Sequence, residues 1–361
     1  MPVTLSLFLP GLLGPVSGEI PPDTLPRAEA FTGLLAAATR RGVARQNPLR
    51  RLAEQFGVAA EPPPVAALSY LADFGRLPAQ HCFRCDPVHL QADMAQALLY
   101  DSRSFDIPAR EAGQLIDAFN RHFAEDNLKL VFRDPRRWYL LTDNPPPLLA
   151  PPLDEVVGRN AGAFLPEELA AARYWNRVLN ETQMLFFGHP LNLERESRGE
   201  PAVNGVWIYG GGLLNGGGPA AYQAVYSDDA FCRGLALHAG VPVRPWAAVF
   251  ETGGWREEGS VLLFDSGLRD ALLTGDMAGW SSRLAEWETR LFTPLHQQWR
   301  AGKLGRVMID PDNGYQYQLT AGGLGNRFRG LLRGAFHRLG GRRAGLAAFI
   351  DKSPPGNGFR P

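Results

Sequence analysis

The residues whose types and spacing could do chemistry are densest between Phe187 and Gly212, in the run FGHPLNLERESRGEPAVNGVWIYGGG. His189 stands before Pro190 at a helix end. It is a candidate general base, although hydrogen-bonding the last carbonyls of that helix is the simpler use. Asn192 and Arg195 follow on a short polar helix that Pro201 breaks. Val206–Tyr209 then reads as a buried strand running straight into Gly210-Gly211-Gly212. A strand that delivers a glycine turn at its C-terminal end marks the place where open α/β sheets form ligand crevices. A second run, Gly216-Gly217-Gly218, is equally bare. Neither run is followed by Lys-Ser/Thr or opens a helix as Gly-x-Gly-x-x-Gly, so the glycines alone signal a phosphate cradle only weakly.

His81-Cys82-x-x-Cys85-x-x-x-His89 carries the donors that zinc prefers. A closed zinc site needs four ligands converging from a knuckle turn, whereas this stretch reads as a strand. On a strand, Cys82 and Cys85 point to opposite faces. They are therefore expected to be core residues, and no metal ligand is assigned. A redox role is no better supported, because no thioredoxin-like βαβ context surrounds the pair. No Ser/His/Asp constellation stands out, and no cofactor is expected.

The elements that must position these residues follow from periodicity. Val3–Leu9 is an apolar run of buried-strand type, ended by Pro10-Gly11. Helices are expected over Arg27–Arg41, Val65–Phe74, Ile107–Phe123, Pro166–Phe187 and Asp276–Trp299. The first of these follows Ala28, Phe31, Leu34, Leu35 and Ala38. The last carries the stripe Trp280, Leu284, Trp287, Leu291 and Leu295, which is core packing rather than a cofactor box. Ser227 or Asp228 is placed to cap a helix over Ala230–Ala239. Strand patterns fall in Gln80–Phe105, Leu128–Phe132, Arg137–Leu141, Gln223–Tyr226 and Val261–Phe264. Two further strands, around Val307 and Tyr317, flank Asn313-Gly314 as a hairpin.

The chain has 361 residues, long for one simple core, so two domains or one domain with a large insertion are expected. Its 37 basic residues balance its 37 acidic ones, which gives no footprint for nucleic acid. Three cysteines fit a reducing compartment better than a disulfide scaffold. The apolar N-terminus lacks a basic n-region and is interrupted by Pro10 and Pro15. It is read as a strand rather than a signal peptide. No run is long enough to span a bilayer. The expected location is cytoplasmic. Asn326–Arg343 sets six arginines among Phe328, Leu331, Leu332 and Phe336. A terminal helix with a solvated basic face is the favoured reading, ahead of contact with an anionic membrane surface.

The order of these motifs resembles one family. Cys82-Phe83-Arg84-Cys85-Asp86, then His189-Pro190-Leu191-Asn192 with Arg195, then Pro201-Ala202-Val203-Asn204 and Val206-Trp207-Ile208-Tyr209-Gly210-Gly211-Gly212, are similar in series to the archaeal-type cofactor-independent phosphoglycerate mutases. Among these the chain looks most like a bacterial group labelled regulatory protein or putative phosphoglycerate mutase. The resemblance implies an α/β fold: an alkaline-phosphatase-like sheet domain with helices on both faces and an inserted smaller α/β substrate-type domain. On this reading residues 1–78 and 189–325 form the two parts of the phosphatase-like domain and 79–188 the insertion. A basic helix and tail, 326–361, end the chain.

The resemblance also implies a nucleophilic serine and two divalent metals. Here the sequence departs from the pattern. The turn after the first strand reads Pro10-Gly11-Leu12-Leu13-Gly14, without a carboxylate. The nucleophile motif falls on Pro62-Pro63-Pro64-Val65-Ala66-Ala67-Leu68-Ser69, with proline at the nucleophile's place. Asp265, Asp270 and Asp276 are isolated remnants, and the chain contains no Asp-His pair. The expectation is a catalytically degenerate, metal-free protein that binds or regulates; an active mutase or phosphatase on a small phosphorylated acid is the alternative. The candidate ligand residues that fall on these motifs are Arg84, His189, Asn192, Arg195 and Asn204, with Asp86 where the relatives have Asn; Arg137, before Trp138-Tyr139, is a further retained basic group. Guanidinium groups suit a phosphorylated or carboxylic acid, and structural ion pairs are the competing use of each arginine. The expected ligand site is the cleft between the two domains. The expected partners are such an acid or a regulatory protein.

Overall fold

The structure is a computed structural model that describes residues 3–14, 25–44, 46–93, 96–165, 169–214, 221–252, 259–320 and 345–350. Pro166, the run Gly216–Gly218 and the basic segment Asn326–Arg343 lie outside the described residues. The chain divides into two compact units, Met1–Phe56 with Pro219–Arg360, and Gly57–Gly218.

The first unit contains β1 (Val3–Phe8), α1 (Glu29–Ala37), β2 (Thr39–Gly42) and α2 (Pro48–Gln55). After the second unit it resumes with β8 (Ala224–Tyr226), α7 (Ala230–His238), β9 (Val243–Arg244), α8 (Ala248–Thr252), β10 (Ser260–Phe264) and α9 (Gly267–Leu273). It continues with α10 (Met277–Trp287), α11 (Thr293–Arg300), β11 (Leu304–Asp310) and β12 (Tyr315–Thr320). The seven-stranded sheet runs β2-β12-β11-β1-β10-β8-β9. The β11, β1, β10, β8 and β9 strands are parallel, so their C-terminal ends share one edge. β1 lies at the centre, with Val3, Leu5 and Leu7 buried on one face and Ser6 and Phe8 buried on the other. Leu5 pairs with Val261 on one side and Val307 on the other.

The expected helix Arg27–Arg41 stops earlier than its periodicity suggests. Thr39–Gly42 leaves it as an edge strand against β12, and the Arg40 guanidinium lies over the Tyr315 ring at 4.4 Å. The helix expected over Asp276–Trp299 forms, but Glu288–Phe292 is a π-helical turn between α10 and α11. Pro294 accounts for it, since proline has no N–H to continue the α-helical ladder. The turn has a use. α1 has no side-chain cap of its own, and the Glu288 carboxylate accepts from the Ala30 and Phe31 amides at 2.6 and 3.1 Å. The cap of α7 is also corrected. Asp229 accepts from Cys232 N at 2.8 Å, while Ser227 Oγ accepts from Asp229 N and Asp228 accepts from Trp246 N.

The second unit holds α3 (Val65–Phe74), β3 (His81–Asp93), β4 (Gln96–Asp101), α4 (Ala109–His122), β5 (Lys129–Asp134) and β6 (Arg137–Thr142). It closes with α5 (Leu169–Phe187), α6 (Pro190–Ser197) and β7 (Gly205–Tyr209). Its antiparallel sheet is built on the long β3. Residues 81–84 of β3 pair with β6, 84–88 with β7 and 88–93 with β4. Two expectations change here. The domain division implied by the resemblance puts β7 with the phosphatase-like part, but it pairs antiparallel with β3. The same division puts α3 with the N-terminal part, but its Ala66 and Tyr70 pack with Cys82 and Tyr139 of this sheet. The boundaries expected at 78 and 188 therefore both fall inside the second unit.

Candidate functional site

Arg84 and Asp86 are two residues apart on β3, so their side chains share a face. The guanidinium donates from Nε and Nη2 to Asp86 Oδ1 and Oδ2, at 3.1 and 2.6 Å. Asp86 also accepts from Trp138 N at 3.2 Å and from the Tyr209 hydroxyl at 3.0 Å. Burial works against the charge of Arg84, and Asp86 more than restores it, holding the guanidinium above its usual range. Burial also pushes the Asp86 carboxyl up, against the pull of Arg84. Arg137, on β6, forms the matching bidentate pair with Asp73 at the end of α3, at 2.7 and 2.9 Å. The Tyr139 hydroxyl donates to the same carboxylate at 2.6 Å. The Arg84 guanidinium lies over the rings of Tyr139 and Tyr209, at 5.8 and 5.6 Å. Arg84, Asp86 and Arg137 thus belong to one cluster, in which each arginine has its own carboxylate. Asp73 had no sequence signal of its own.

The other four predicted residues hold the connection from α5 to β7. His189 caps α6 through Nδ1, which accepts from Leu191 N at 3.2 Å. It opens that helix rather than closing α5. Asn192 is buried; its amide donates to Phe186 O and Val203 O and accepts from Val203 N, at 2.7, 3.0 and 2.9 Å. Arg195 is 1% exposed. It donates to Pro201 O at 2.8 Å, to Asp106 O at 2.9 Å and to the Glu111 carboxylate. Asn204 clasps the Leu90 backbone, accepting from its N–H at 2.7 Å and donating to its carbonyl at 3.0 Å. Cys82 and Cys85 sit in separate apolar clusters on opposite faces of β3, and burial raises both thiols, Cys82 to about 12.

The glycine run closes space rather than opening it. A Cβ on Gly211 would stand 2.1 Å from the Phe83 ring, and one on Gly212 would stand 2.0 Å from Pro62 O. The run therefore crosses directly over Pro62-Pro63-Pro64, the residues that lead into α3. The first amides of α3 are already bonded there: Val65 N donates to Pro63 O at 2.8 Å and Ala66 N to Gly210 O at 3.0 Å. Ser69 lies one turn further on and is fully buried.

In the first unit, the shared C-terminal edge of the parallel strands gathers carboxylates. Asp228 follows β8, Asp265 follows β10, Asp310 ends β11 and Asp312 follows it. Asp265 accepts from Gly267 N at 2.8 Å and faces Arg283 at 3.7 Å. Burial outweighs both of these and, with Asp270 and Asp228 nearby, pushes its carboxyl up to about 6. Asp310 accepts from Asp312 N and Gln316 Nε2, at 3.0 and 2.8 Å, and from Arg51 Nη2. Arg51 Nη1 donates to Asp312 at 2.8 Å. Sequence reading passed over Arg51, Asp310 and Asp312. A signal for the first existed: Pro48, Arg51 and Leu52 are the buried face of α2, so a charge stands at a core position of the helical repeat.

The two metals implied by the family resemblance can be tested against these donors. Hard divalent ions require several oxygen and nitrogen donors converging with unfilled lone pairs. The turn after β1 offers Leu12 and Leu13, both buried. A Cβ on Gly11 would meet the Arg269 backbone at 2.7 Å. Asp310 and Asp312 are held by a guanidinium, and Asp229 and Asp276 cap helices. Among the described residues no group of three His, Cys, Asp or Glu side chains is close enough to hold a metal ion. The residues present do not fit a two-metal centre. Among the described residues no helix is long and apolar enough to cross a membrane.

The fold defines a mixed α/β class of protein with a central parallel sheet. It is similar to the PH0037 protein from Pyrococcus horikoshii, with a TM-score of 0.50, 14% identity, and coverage of 88% of this chain and 87% of that one. The cofactor-independent phosphoglycerate mutase from Thermoplasma acidophilum aligns at 14% identity with a TM-score of 0.43, over 90% and 91% of the two chains. In sequence the chain is similar to 2,3-bisphosphoglycerate-independent phosphoglycerate mutase 2 of Methanothermobacter thermautotrophicus, 26% identical over 171 residues. That match covers 44% of this chain and 40% of the relative. No protein-family model matches the chain. The likeness to cofactor-independent phosphoglycerate mutases that the motifs suggest is therefore present in sequence.

Proposed function

We propose that this chain is a catalytically degenerate, phosphoglycerate-mutase-like protein that binds a small phosphorylated or carboxylic acid, or a regulatory partner, without transferring a phosphoryl group. The observation that carries the reading is the start of α3. The motif resemblance places the nucleophile there, and the chain has three prolines at that point. Proline offers no hydroxyl, and carbonyl oxygens take the amides that would otherwise face an anion. Phosphoryl transfer through an enzyme-bound intermediate needs a nucleophile and stabilised charge at one point, and this corner supplies neither. Arg84 and Arg137 are the cationic groups of the adjoining cluster. An incoming acid has to compete there with Asp86 and Asp73. A metal-free cytoplasmic binding role follows from the same reading.

One preparation tests it. The purified protein is assayed for bound Mn and Zn and for interconversion of 2- and 3-phosphoglycerate with Mn2+ added. The expected result is neither stoichiometric metal nor turnover; finding both overturns the reading. Thermal shift with phosphoglycerates tests the binding part. Stabilisation that Arg84→Lys weakens is expected, and no shift at millimolar ligand removes the acid from the proposal.

A further inference from the structure

We infer that Arg51 is the resident cation of the strand-end acidic pair: its guanidinium takes the place that a divalent ion would fill between Asp310 and Asp312. The inference deepens the metal-free part of the reading above, and its test uses no phosphoglycerate, so the two fail separately.

Three features set this apart from a surface ion pair. First, the guanidinium is shared rather than paired. Nη2 serves Asp310 and Nη1 serves Asp312, so one planar cation bridges two carboxylates from one short turn. Second, the bridge is largely covered; the side chains of Arg51, Asp310 and Asp312 are 9%, 2% and 19% exposed, and the guanidinium lies 5.0 Å from the centre of the Phe8 ring at the end of β1. Two anions brought this close under cover need positive charge beside them; Arg51 bonds to both, while Arg269 acts on Asp312 as well. Third, the location is the C-terminal edge of a parallel sheet, where this architecture gathers its ligands. Pro311 and the positive φ of Asp312, 60°, turn the chain so that both carboxylates face the same point. Gln316 and Asp312 N supply the remaining hydrogen bonds to Asp310. Two converging carboxylates are part of what a hard divalent ion requires, with water able to complete its shell. Here α2 carries the charge instead, from a position 259 residues earlier in the chain.

The test uses Mn2+ alone as the probe, on the full chain, with thermal shift and direct titration. The wild type is expected to melt at the same temperature with EDTA or with millimolar Mn2+. Arg51→Met is expected to melt lower and to gain Mn2+ binding with a Kd of about 1 mM or tighter. That is at least about tenfold tighter than in a variant that also carries Asp310→Asn and Asp312→Asn. Mn2+ should restore part of its lost melting temperature. If Arg51→Met does not fold, its refolding with millimolar Mn2+ decides: recovery supports the inference and no recovery overturns it. Two other results overturn it. One is a folded Arg51→Met that gains no Mn2+ binding; the other is stoichiometric Mn2+ on the wild type that Asp310→Asn removes.

Discussion

Replacing Asp265 with asparagine isolates the electrostatic load at the strand-end edge. The side chain is 15% exposed, and burial leads the forces that push its carboxyl from 3.8 to about 6. A folded pKa above the unfolded one means that the native state holds the proton longer. Stability is therefore fully present below about pH 4, falls as pH rises towards about 6, and stays reduced above that. The shift is about two units, worth about 1.4 kcal/mol each, so the ionised carboxylate destabilises the fold by up to about 3 kcal/mol near pH 7.5. Asparagine keeps the oxygen that accepts from Gly267 N at 2.8 Å, so the loop after β10 retains its bond while the charge disappears. Asp265→Asn should therefore be stabilising near pH 7.5. At about 2–4 °C per kcal/mol for a unit of this size, the rise is up to about 10 °C. It should shrink towards zero near pH 4, where both forms are neutral. Calorimetry of the two proteins across this range is the assay. A variant that melts below the wild type near pH 7.5, or one with the same increment at both ends, would refute the reasoning. Asp312 provides the contrast. Burial, together with Asp310, raises its carboxyl to about 6 against Arg269 and Arg51. Its oxygen also holds Arg51, so Asp312→Asn should not share the gain.

Other perturbations test the remaining contacts. Arg195→Met removes the donor to the carbonyls of Pro201 and Asp106 and the closer of the two guanidinium groups on the buried Glu111 carboxylate, leaving Arg198 Nη2 at 3.1 Å. A loss of about 3–5 kcal/mol in urea unfolding is expected, and a near-neutral result would show that water replaces the guanidinium. Glu288→Ala should cost about 1–2 kcal/mol by uncapping α1, whereas Glu288→Gln should retain most of that, because one oxygen can still accept. Gly212→Ala forces a methyl group against backbone at Pro62 and should lower stability by about 1–3 kcal/mol or more. Gly188→Ala, whose nearest neighbour would be Met184 O at 3.7 Å, is expected to stay within about 0.5 kcal/mol. Equal losses at the two glycines would count against the packing of the run over the prolines.

The residues of the proposed site were legible in part. Arg84 was singled out through the motif resemblance and Arg137 as a further retained basic group, and they do meet in one cluster. Their carboxylate partners were less visible. Asp86 is a strand neighbour of Arg84, but Asp73 lies 64 residues from Arg137 on another element. Asn192, Arg195 and Asn204 show the ambiguity of polar motifs. A side chain shaped to hold a ligand is equally shaped to hold a carbonyl, and the backbone around α6 and β7 engages all three.

What the sequence by itself determined is the local structure. Val65–Phe74 forms the helix that its pattern predicts, Val3–Phe8 the buried strand, and Trp280 to Leu295 the core stripe. Periodicity sets these because burying one face is a demand that neighbouring residues can answer together. The prolines before α3 were equally plain, since a missing hydroxyl can be read from the residue alone. Only the tertiary structure decided that β7 joins β3, that Glu288 caps α1, and that Arg51 sits between Asp310 and Asp312. Each of these pairs a group with a partner far along the chain. A hydrogen bond or ion pair of that kind exists only once the sheet has brought both ends to one place.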